Sequence, residues 1–462
     1  MYKKQKHIHF IGIGGIGMSG IAEILKMQGY RVSGCDVSIK SPITDRLKKL
    51  GCPIFENHDP SHIDIADIIV YSSAVDQNNS EVAAAIRKGI PVIPRAIMLA
   101  EIMRTKDSVA IAGSHGKTTT TSIISHILLE AKKDPTIIIG GILKNISSNA
   151  HLGTGNLLVA EADESDRSLL YLNPSLAVVT NIDAEHLDTY KDLEDVKDTF
   201  KSFLARLPFY GKAIVCSDDP GVRSILPLTH VPTIKYGLDD TADIKGEILE
   251  LNSTNSTFNV YSISYKQSFN LGQINLNIPG KHNVLNSLAA ISLCLELDIP
   301  FLQIKSAIES FKGVERRFEF KGTYKNADIF DDYGHHPTEI KNTLSIAKQN
   351  AKNKLIVFFQ PHRYSRTQKL WDDFISTFTQ NQIDELILTD IYPAGEEPIE
   401  NITSKKLANA IKEKNSNLKI SYFASYTAAT KHIKSILDKD DLLLTLGAGK
   451  VNCVAKELTK ME

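Results

Sequence analysis

Gly113-Ser114-His115-Gly116-Lys117-Thr118-Thr119 stands between the apolar run SVAIA and the helical pattern TTSIISHILLEA. A glycine-rich turn entering a helix exposes backbone N–H groups that can cradle phosphates; Lys117 can neutralise β/γ-phosphate charge and the Thr118 hydroxyl can hold Mg²⁺. The segment departs from the GxxxxGK[ST] pattern, because Ile111 occupies the place of its first glycine. What remains is a shorter GxxGKT turn, whose bland alternative is a chance GKT at a helix start. Glu161, Asp163 and Glu164 follow the apolar run NLLVA. Carboxylates at a strand's C-terminal end can bind Mg²⁺ beside phosphates, or simply cap a helix that begins there. A third acidic group, Asn181-Ile182-Asp183-Ala184-Glu185-His186-Leu187-Asp188, follows LAVVT. A lone histidine there would most often be structural, but beside Lys117 and Glu161 it becomes a candidate ligand for a second metal ion.

A different phosphate signal opens the chain. Gly12, Gly14, Gly15 and Gly17 form a GxGxxG between an apolar strand and a helical stretch, with Asp36 ending the next strand. That is the dinucleotide fingerprint, in which glycines let helix N-terminal amides approach a pyrophosphate. Taken alone it favours NAD or FAD, or a tight turn with no ligand. With the GKTTT loop in the same chain, ATP binding is the stronger reading.

These loops need strands and helices to hold them. The opening alternates HIHFIGI, a helix from about 17 to 29, RVSGCDV, ADIIVYS, a helix near 81–89 and IPVI, a βαβ rhythm that predicts a small parallel sheet. SVAIAG, TIIIGG, NLLVAEADE and LAVVTNID predict a second parallel sheet, with an alternating stretch from about 244 to 278 as an antiparallel addition. A helix near 282–297 precedes GVERRFEF, a plausible linker, and βαβ rhythm returns in ADIFDDY, KLIVFFQ, ELILTDIY and DLLLTLGAG. The fold class expected is α/β in three domains, 1–107, 108–314 and 315–462. At domain sizes of ~100–200 residues, a length of 462 fits three. Gly447-Ala448-Gly449-Lys450 looks like a further phosphate loop but lacks its remaining residues, and reads as a strand-to-helix turn.

Composition narrows the class. Lys plus Arg (53) nearly cancels Asp plus Glu (54), so no net field favours nucleic acid or an anionic membrane. The five cysteines, Cys35, Cys52, Cys216, Cys294 and Cys453, have no CxxC spacing, which suggests neither a disulfide framework nor a zinc site. Lys3, Lys4 and Lys6 before an apolar run imitate a secretory signal, but the glycines interrupt that run. The expectation is a cytoplasmic protein, monomeric or homodimeric, without a membrane span.

HFIGIGGIGMSGIA, GSHGKTTTT, EADESD, NIDAEHLD, GKHNVLNSLAA, ERRFE, DDYGHHPTE, FQPHRYSRT and YPAGEEP occur in that order across essentially the whole chain. In these motifs the sequence resembles the Mur ligase family, and within it the members that join L-alanine to the lactyl carboxylate of UDP-N-acetylmuramic acid for peptidoglycan synthesis. The resemblance implies a Rossmann-like UDP-binding domain, a central ATPase domain and a C-terminal Rossmann-like domain, with an acyl-phosphate intermediate. It makes Gly113 to Thr119 the ATP loop, assigns Thr118 and Glu161 to one Mg²⁺ and His186 to a second, and makes His282, Asn283 and Asn286 nucleotide and substrate contacts. Arg317 and Asp332 become nucleotide contacts completed on domain closure. Tyr333, His335, Arg363 and Arg366 become contacts to the UDP-muramic acid substrate. The catalytic set implied is Lys117, Glu161, His186, Asn286 and Arg317, and the Gly12–Gly17 turn with Asp36 takes the UDP diphosphate without any nicotinamide.

Read without the family, His335 and His336 form a metal pair or a helix-capping turn before Pro337, and Arg363 and Arg366 are exposed ion pairs. Three rival functions remain open. A nicotinamide oxidoreductase accounts for GxGxxG but not for GKTTT. A ligase that recycles a murein tripeptide onto the same sugar nucleotide shares the ATP motifs. A non-enzymatic sensor would bind both nucleotides without releasing phosphate.

Overall fold

The computed structural model describes residues 6–460 except 73, 77, 144, 145, 147, 187, 188, 229, 265 and 266. Among the described residues, three sheets carry the chain, of five, ten and six strands. They fall into two compact units, the first holding the five- and ten-stranded sheets and the second, mainly 313–462, the six-stranded one.

The first sheet is wholly parallel, with His7–Ile11 flanked by Arg31–Asp36 on one side and Ile68–Tyr71 on the other. Every residue of His7–Ile11 is buried, as expected of a strand with helices on both faces. Chain order reverses at this central strand, and the glycine turn leaves its C-terminal end. A doubly wound sheet opens its ligand crevice at that point. The expected strands and helices are present, and three elements join them that the apolar rhythm does not signal. Pro42–Lys49 is a short polar helix closed by a Ser41/Thr44 capping box; Ile54–Glu56 is an edge strand; Arg95–Met103 is a helix running on from the last strand.

In the ten-stranded sheet Asp107–Ala112 lies between Leu157–Glu161 and Leu176–Val179, parallel to both. This neighbourhood decides the site. The loop at 113–119 leaves the middle strand, so the acidic segments at 161–164 and 181–186 must leave the strands on either side of it. Three strands extend one edge at Ile244–Leu251, Ser256–Ser264 and Gln267–Leu276. The first enters parallel to Thr233–Gly237, while an antiparallel pair, Thr136–Leu143 with Ser148–His151, closes the opposite edge.

The second unit is built on Leu355–Phe359 and Leu442–Leu446, parallel and buried throughout, with Ala327–Asp332 alongside. Glu319–Tyr324 pairs antiparallel with Ala327–Asp332, so the last residues of GVERRFEF begin a strand. Among the described residues, no helix is long and apolar enough to cross a membrane.

Candidate active site

Gly113 has φ +139 and Gly116 φ +82, conformations open to glycine and strained for other residues. Close approach matters equally: a Cβ on Gly113 would run into Thr180 Oγ1, and one on Gly116 would stand 2.6 Å from Asn286 Oδ1. The neighbouring strand end then grips the loop. Asn181 accepts from the His115 N–H (2.8 Å) through Oδ1 and donates to the His115 carbonyl (3.0 Å) through Nδ2, while Thr180 Oγ1 donates to the same carbonyl at 2.6 Å. Ser114 Oγ accepts from the Asp183 N–H at 2.8 Å, and the His115 ring lies 3.1 Å from Asp183 Oδ2. The loop therefore arrives at its ligand already ordered, which lowers the entropy cost of binding.

Lys117 donates to the carbonyls of Gly113 (2.6 Å) and Ser114 (3.1 Å) and to Glu164 Oε1 (2.7 Å). Burial alone would depress its pKa, but the charges of Glu164 and Glu185 outweigh burial and the net shift is upward. Thr118 Oγ1 lies 3.3 Å from Glu161 Oε2, and Glu161 Oε1 accepts from the Gly140 N–H at 2.8 Å. Glu164, Glu185 and His186 converge, each offering an atom within 4.8 Å of the others. His186 has φ +54, uncommon for a residue with a side chain, and its Nε2 lies 3.5 Å from Glu164 Oε1. Leu187 and Asp188, which complete that motif, lie outside the described residues.

Asn286 sits in the helix Lys281–Glu296, where it accepts from Thr120 Oγ1 at 3.2 Å and donates to Asn283 Oδ1 at 3.4 Å. His282 occupies the first turn of the same helix, and Thr119 is buried in the helix Lys117–Glu130. The expected group of Gly113–Thr119, Glu161, His186, Asn283 and Asn286 is thus assembled around one strand end.

At the glycine turn of the first sheet, Asp36 Oδ2 accepts from the Gly14 N–H at 2.9 Å, and Gly12 and Ile13 donate to the Cys35 carbonyl. Gly12, Gly15, Asp36, His58 and Asn79 line a cavity of about 530 Å³. Gly17 faces Arg95, whose guanidinium reaches Asp163 Oδ2 at 3.1 Å. Arg95 therefore stands between the N-terminal glycine helix and the acidic strand end beside the 113–119 loop.

In the second unit Asp332 is buried, with its two carboxylate oxygens accepting from the N–H groups of Phe318 and Gly334 at 2.7 Å each. Arg317 reaches Glu339 at 3.3 Å and lies over the Tyr333 ring at 5.6 Å. His336 caps the helix Pro337–Asn350, and the His335 ring stands 5.5 Å from those of Tyr333 and His362. Burial, with Arg366 adding to it, holds His335 well below the ordinary imidazole range. Arg363, at φ +69, precedes the short helix Tyr364–Lys369, and Arg366 reaches His362 Nδ1 at 3.3 Å. Gly447 begins the turn between Leu442–Leu446 and Asn452–Thr459, consistent with a strand-to-helix connection.

Sequence reasoning groups Glu164 with its neighbours and gives Glu185 no separate role, yet these two carboxylates surround Lys117 and His186. It misses Arg95 and the Asn181 clamp altogether. Neither belongs to a spacing pattern, since only the packing of adjacent strand ends gives them partners.

Three family models match successive parts of the chain: a Mur ligase family catalytic domain over 7–107, a Mur ligase middle domain over 111–294, and a Mur ligase glutamate ligase domain over 316–449. A UDP-N-acetylmuramate–L-alanine ligase of Geobacter sp. (strain M21) is 50% identical over 452 residues, 98% of this chain and 96% of that one. The chain belongs to the Mur ligase family. The crystal structure of a UDP-N-acetylmuramate-alanine ligase from Thermotoga maritima superposes with a TM-score of 0.82 at 26% identity, covering 99% of both chains. A murein peptide ligase from Psychrobacter arcticus shares the fold at a TM-score of 0.74 and 24% identity, covering 98% of each. This Mur ligase thus carries the glycine turns in the two sheets of its first unit, and the arginine-rich motifs in the sheet of its second.

Proposed function

We propose that this Mur ligase uses ATP to join L-alanine to the lactyl carboxylate of UDP-N-acetylmuramic acid, giving UDP-N-acetylmuramoyl-L-alanine, ADP and phosphate. The observation that carries the reading is the placement of Lys117 and Thr118 between the acidic ends of two neighbouring strands, in a chain half identical to a ligase named for that reaction.

A carboxylate does not condense with an amine in water, because oxide would have to leave. Phosphorylation solves this: the lactyl carboxylate attacks the γ-phosphorus in line, giving an acyl phosphate and ADP. The neutral amine of alanine then attacks the acyl carbon, and phosphate departs. In this scheme the loop amides of 113–119 hold the β- and γ-phosphates, and Lys117 exchanges Glu164 for a phosphate oxygen as negative charge shifts. Orientation of three reactants is worth ~7–11 kcal/mol of barrier, so a loop fixed beforehand by Asn181 and Thr180 contributes directly.

The site also suits magnesium. Carboxylate and hydroxyl oxygens are the hard donors it prefers, and Glu164 Oε2 is buried with no hydrogen-bond partner among the described residues. Thr118 and Glu161 would hold one ion, and His186 with Glu164 and Glu185 a second; bound there, magnesium neutralises phosphate charge. Gly12, Gly14, Gly15, Gly17 and Asp36 serve the UDP diphosphate. Arg317 and Asp332 serve the nucleotide, and Tyr333, His335, Arg363 and Arg366 the sugar-nucleotide substrate, with Asp332 acting through the backbone it fixes. His282, Asn283 and Asn286 complete the nucleotide contacts.

Phosphate release from ATP with UDP-N-acetylmuramic acid tests the reading, with L-alanine, glycine, L-serine and the tripeptide L-Ala-γ-D-Glu-diaminopimelate compared as acceptors. Fast release with L-alanine is expected. Release with the tripeptide alone would move the chain to wall recycling, and none with any acceptor would overturn the ligase assignment.

A further inference from the structure

Behind the glycine turn of the first sheet, four segments far apart in sequence bring thiol, imidazole and carboxylate donors together. His9 lies on the central strand, directly in register with Ser33 of the neighbouring strand that also carries Cys35. Glu81 stands in the first turn of the helix Ser80–Arg87, and His58 follows the edge strand Ile54–Glu56. Cys35 Sγ is 2.8 Å from Glu81 Oε2 and 3.2 Å from His58 Nδ1. Glu81 Oε2 is 3.6 Å from His58 Nδ1 and 3.7 Å from His9 Nε2. His9, Cys35 and Glu81 are all buried, and each presents an atom within 4.8 Å of the other two.

A thiol hydrogen-bonded to a carboxylate explains the Cys35–Glu81 contact, while His9 faces the same carboxylate only at ion-pair distance. Its Nε2 is fully enclosed and has no hydrogen-bond partner among the described residues. The opposite nitrogen, Nδ1, meets Ser33 Oγ at 2.8 Å, the outer contact that orients a metal-binding imidazole and directs its other nitrogen inward. Glu81 is similarly braced: its Oε1 receives His62 Nδ1 at 2.6 Å and the Asp59 N–H at 3.2 Å, leaving Oε2 toward the cysteine. Bonds of ~2.0–2.3 Å in a tetrahedral centre put neighbouring donors about 3.3–3.8 Å apart; Glu81 meets that spacing with His58 (3.6 Å) and His9 (3.7 Å), while Cys35 stands closer, 2.8 Å from Glu81 and 3.2 Å from His58.

We propose that His9 Nε2, Cys35 Sγ and Glu81 Oε2, with His58 Nδ1 beside Cys35 on the fourth side, bind a zinc-class divalent transition-metal ion. Thiolate and imidazole select such an ion over magnesium, and the thiolate and carboxylate together balance its two positive charges. Binding breaks the Cys35 S–H bond, forms the metal–sulfur bond and releases that proton to solvent, while both imidazoles bind neutral. Three buried protein donors, with His58 closing the remaining side, shield the ion from solvent and make it structural. It fixes the end of the strand that carries Asp36, and it fixes His58, which lines the 530 Å³ cavity. Cysteine spacing gives no hint of this site because only one cysteine takes part and its partners come from three other elements.

The test uses the full chain, stripped with a chelator and titrated with cobalt(II) as a spectroscopic stand-in for zinc. One equivalent should develop a thiolate-to-cobalt charge-transfer band, release one proton per ion in weakly buffered solution, and be displaced by zinc. Cys35→Ser should abolish the band. His58→Gln, altering the partly exposed donor, should weaken cobalt binding at least tenfold while the chain stays folded by circular dichroism. Absence of the band in folded parent protein overturns the proposal. So does a band that persists in Cys35→Ser, or unchanged affinity in folded His58→Gln. None of these readouts depends on ligase activity.

Discussion

Lys117 Nζ and Glu164 Oε1 stand 2.7 Å apart, and this pair holds the lysine at the start of the helix that follows the 113–116 turn. Glu164 is almost wholly enclosed, and the lysine's upward pKa shift keeps it charged throughout the neutral range. A phosphate must therefore compete with a carboxylate for the same ammonium, which couples nucleotide arrival to the freeing of Glu164.

Removing the ammonium should separate chemistry from substrate binding. Lys117→Ala is expected to lower kcat for phosphate release by about 10²–10³-fold or more, the scale of losing one preorganised charge donor. Affinity for UDP-N-acetylmuramic acid, measured by calorimetry without ATP, should change less than twofold. Unchanged turnover would remove Lys117 from the ATP loop.

Glycine identity at the loop should matter for two separable reasons, φ and space. Gly113→Ala incurs strain at φ +139 and drives its Cβ into Thr180 Oγ1, which is itself tied to His115. Gly29, at φ +92, faces open space and incurs only the backbone strain, ~1–2 kcal/mol. Kinetics on the two alanine variants should show kcat/KM for ATP falling more than 100-fold at 113 and less than threefold at 29. Equal effects would mean that the substitution at 113 acts no differently from strain at a remote turn, and that the approach of Thr180 does not matter.

One contribution to acid sensitivity should come from His362 in the second unit. Burial, with Arg366 and Arg363 adding to it, pushes His362 from 6.5 down to about 3. The folded state thus keeps this ring neutral while the unfolded chain takes up a proton. Above the unfolded pKa the group contributes nothing; stability is lost as pH falls from 6.5 toward 3. From about pH 7.5 to 5.0 this one ring should cost roughly 1–2 kcal/mol. Urea unfolding of His362→Gln should show a smaller loss than the parent over the same interval. Identical losses would count against the buried neutral ring.

How much of the site is legible in the sequence depends on where its information lies. Gly113 to Thr119, Glu161 and His186 are readable because backbone conformation and donor chemistry demand those residue types within short segments. Their mutual placement rests on one further fact, that the strand ending at Ala112 lies between those ending at Glu161 and Val179. The clamp made by Asn181 and the partner of Arg95 are invisible in the sequence, since an amide clamp and a salt bridge between sheets exist only once the strands are ordered. The helix Pro42–Lys49 escapes for another reason: it buries little, and its capping box supplies what an apolar stripe would otherwise announce. Asp332, a nucleotide contact by resemblance, also accepts from the Phe318 and Gly334 amides, a role that no local pattern announces.

Arg363 gives the cleanest separation of binding from stability. Its side chain is 41% exposed and its ion pair with Glu396 spans 3.8 Å, an arrangement worth ~0–1 kcal/mol. Arg363→Ala should therefore leave the unfolding midpoint nearly unchanged, whereas a guanidinium that grips a diphosphate or carboxylate would be missed in binding. We expect KM for UDP-N-acetylmuramic acid to rise at least tenfold with KM for ATP altered less than threefold, since one charge-assisted bidentate contact is worth more than a tenfold change in affinity. Arg363→Lys should recover only part of the loss, because an ammonium keeps the charge without the planar fork. If the alanine variant binds the sugar nucleotide as the parent does, Arg363 belongs to the surface and not to the substrate site.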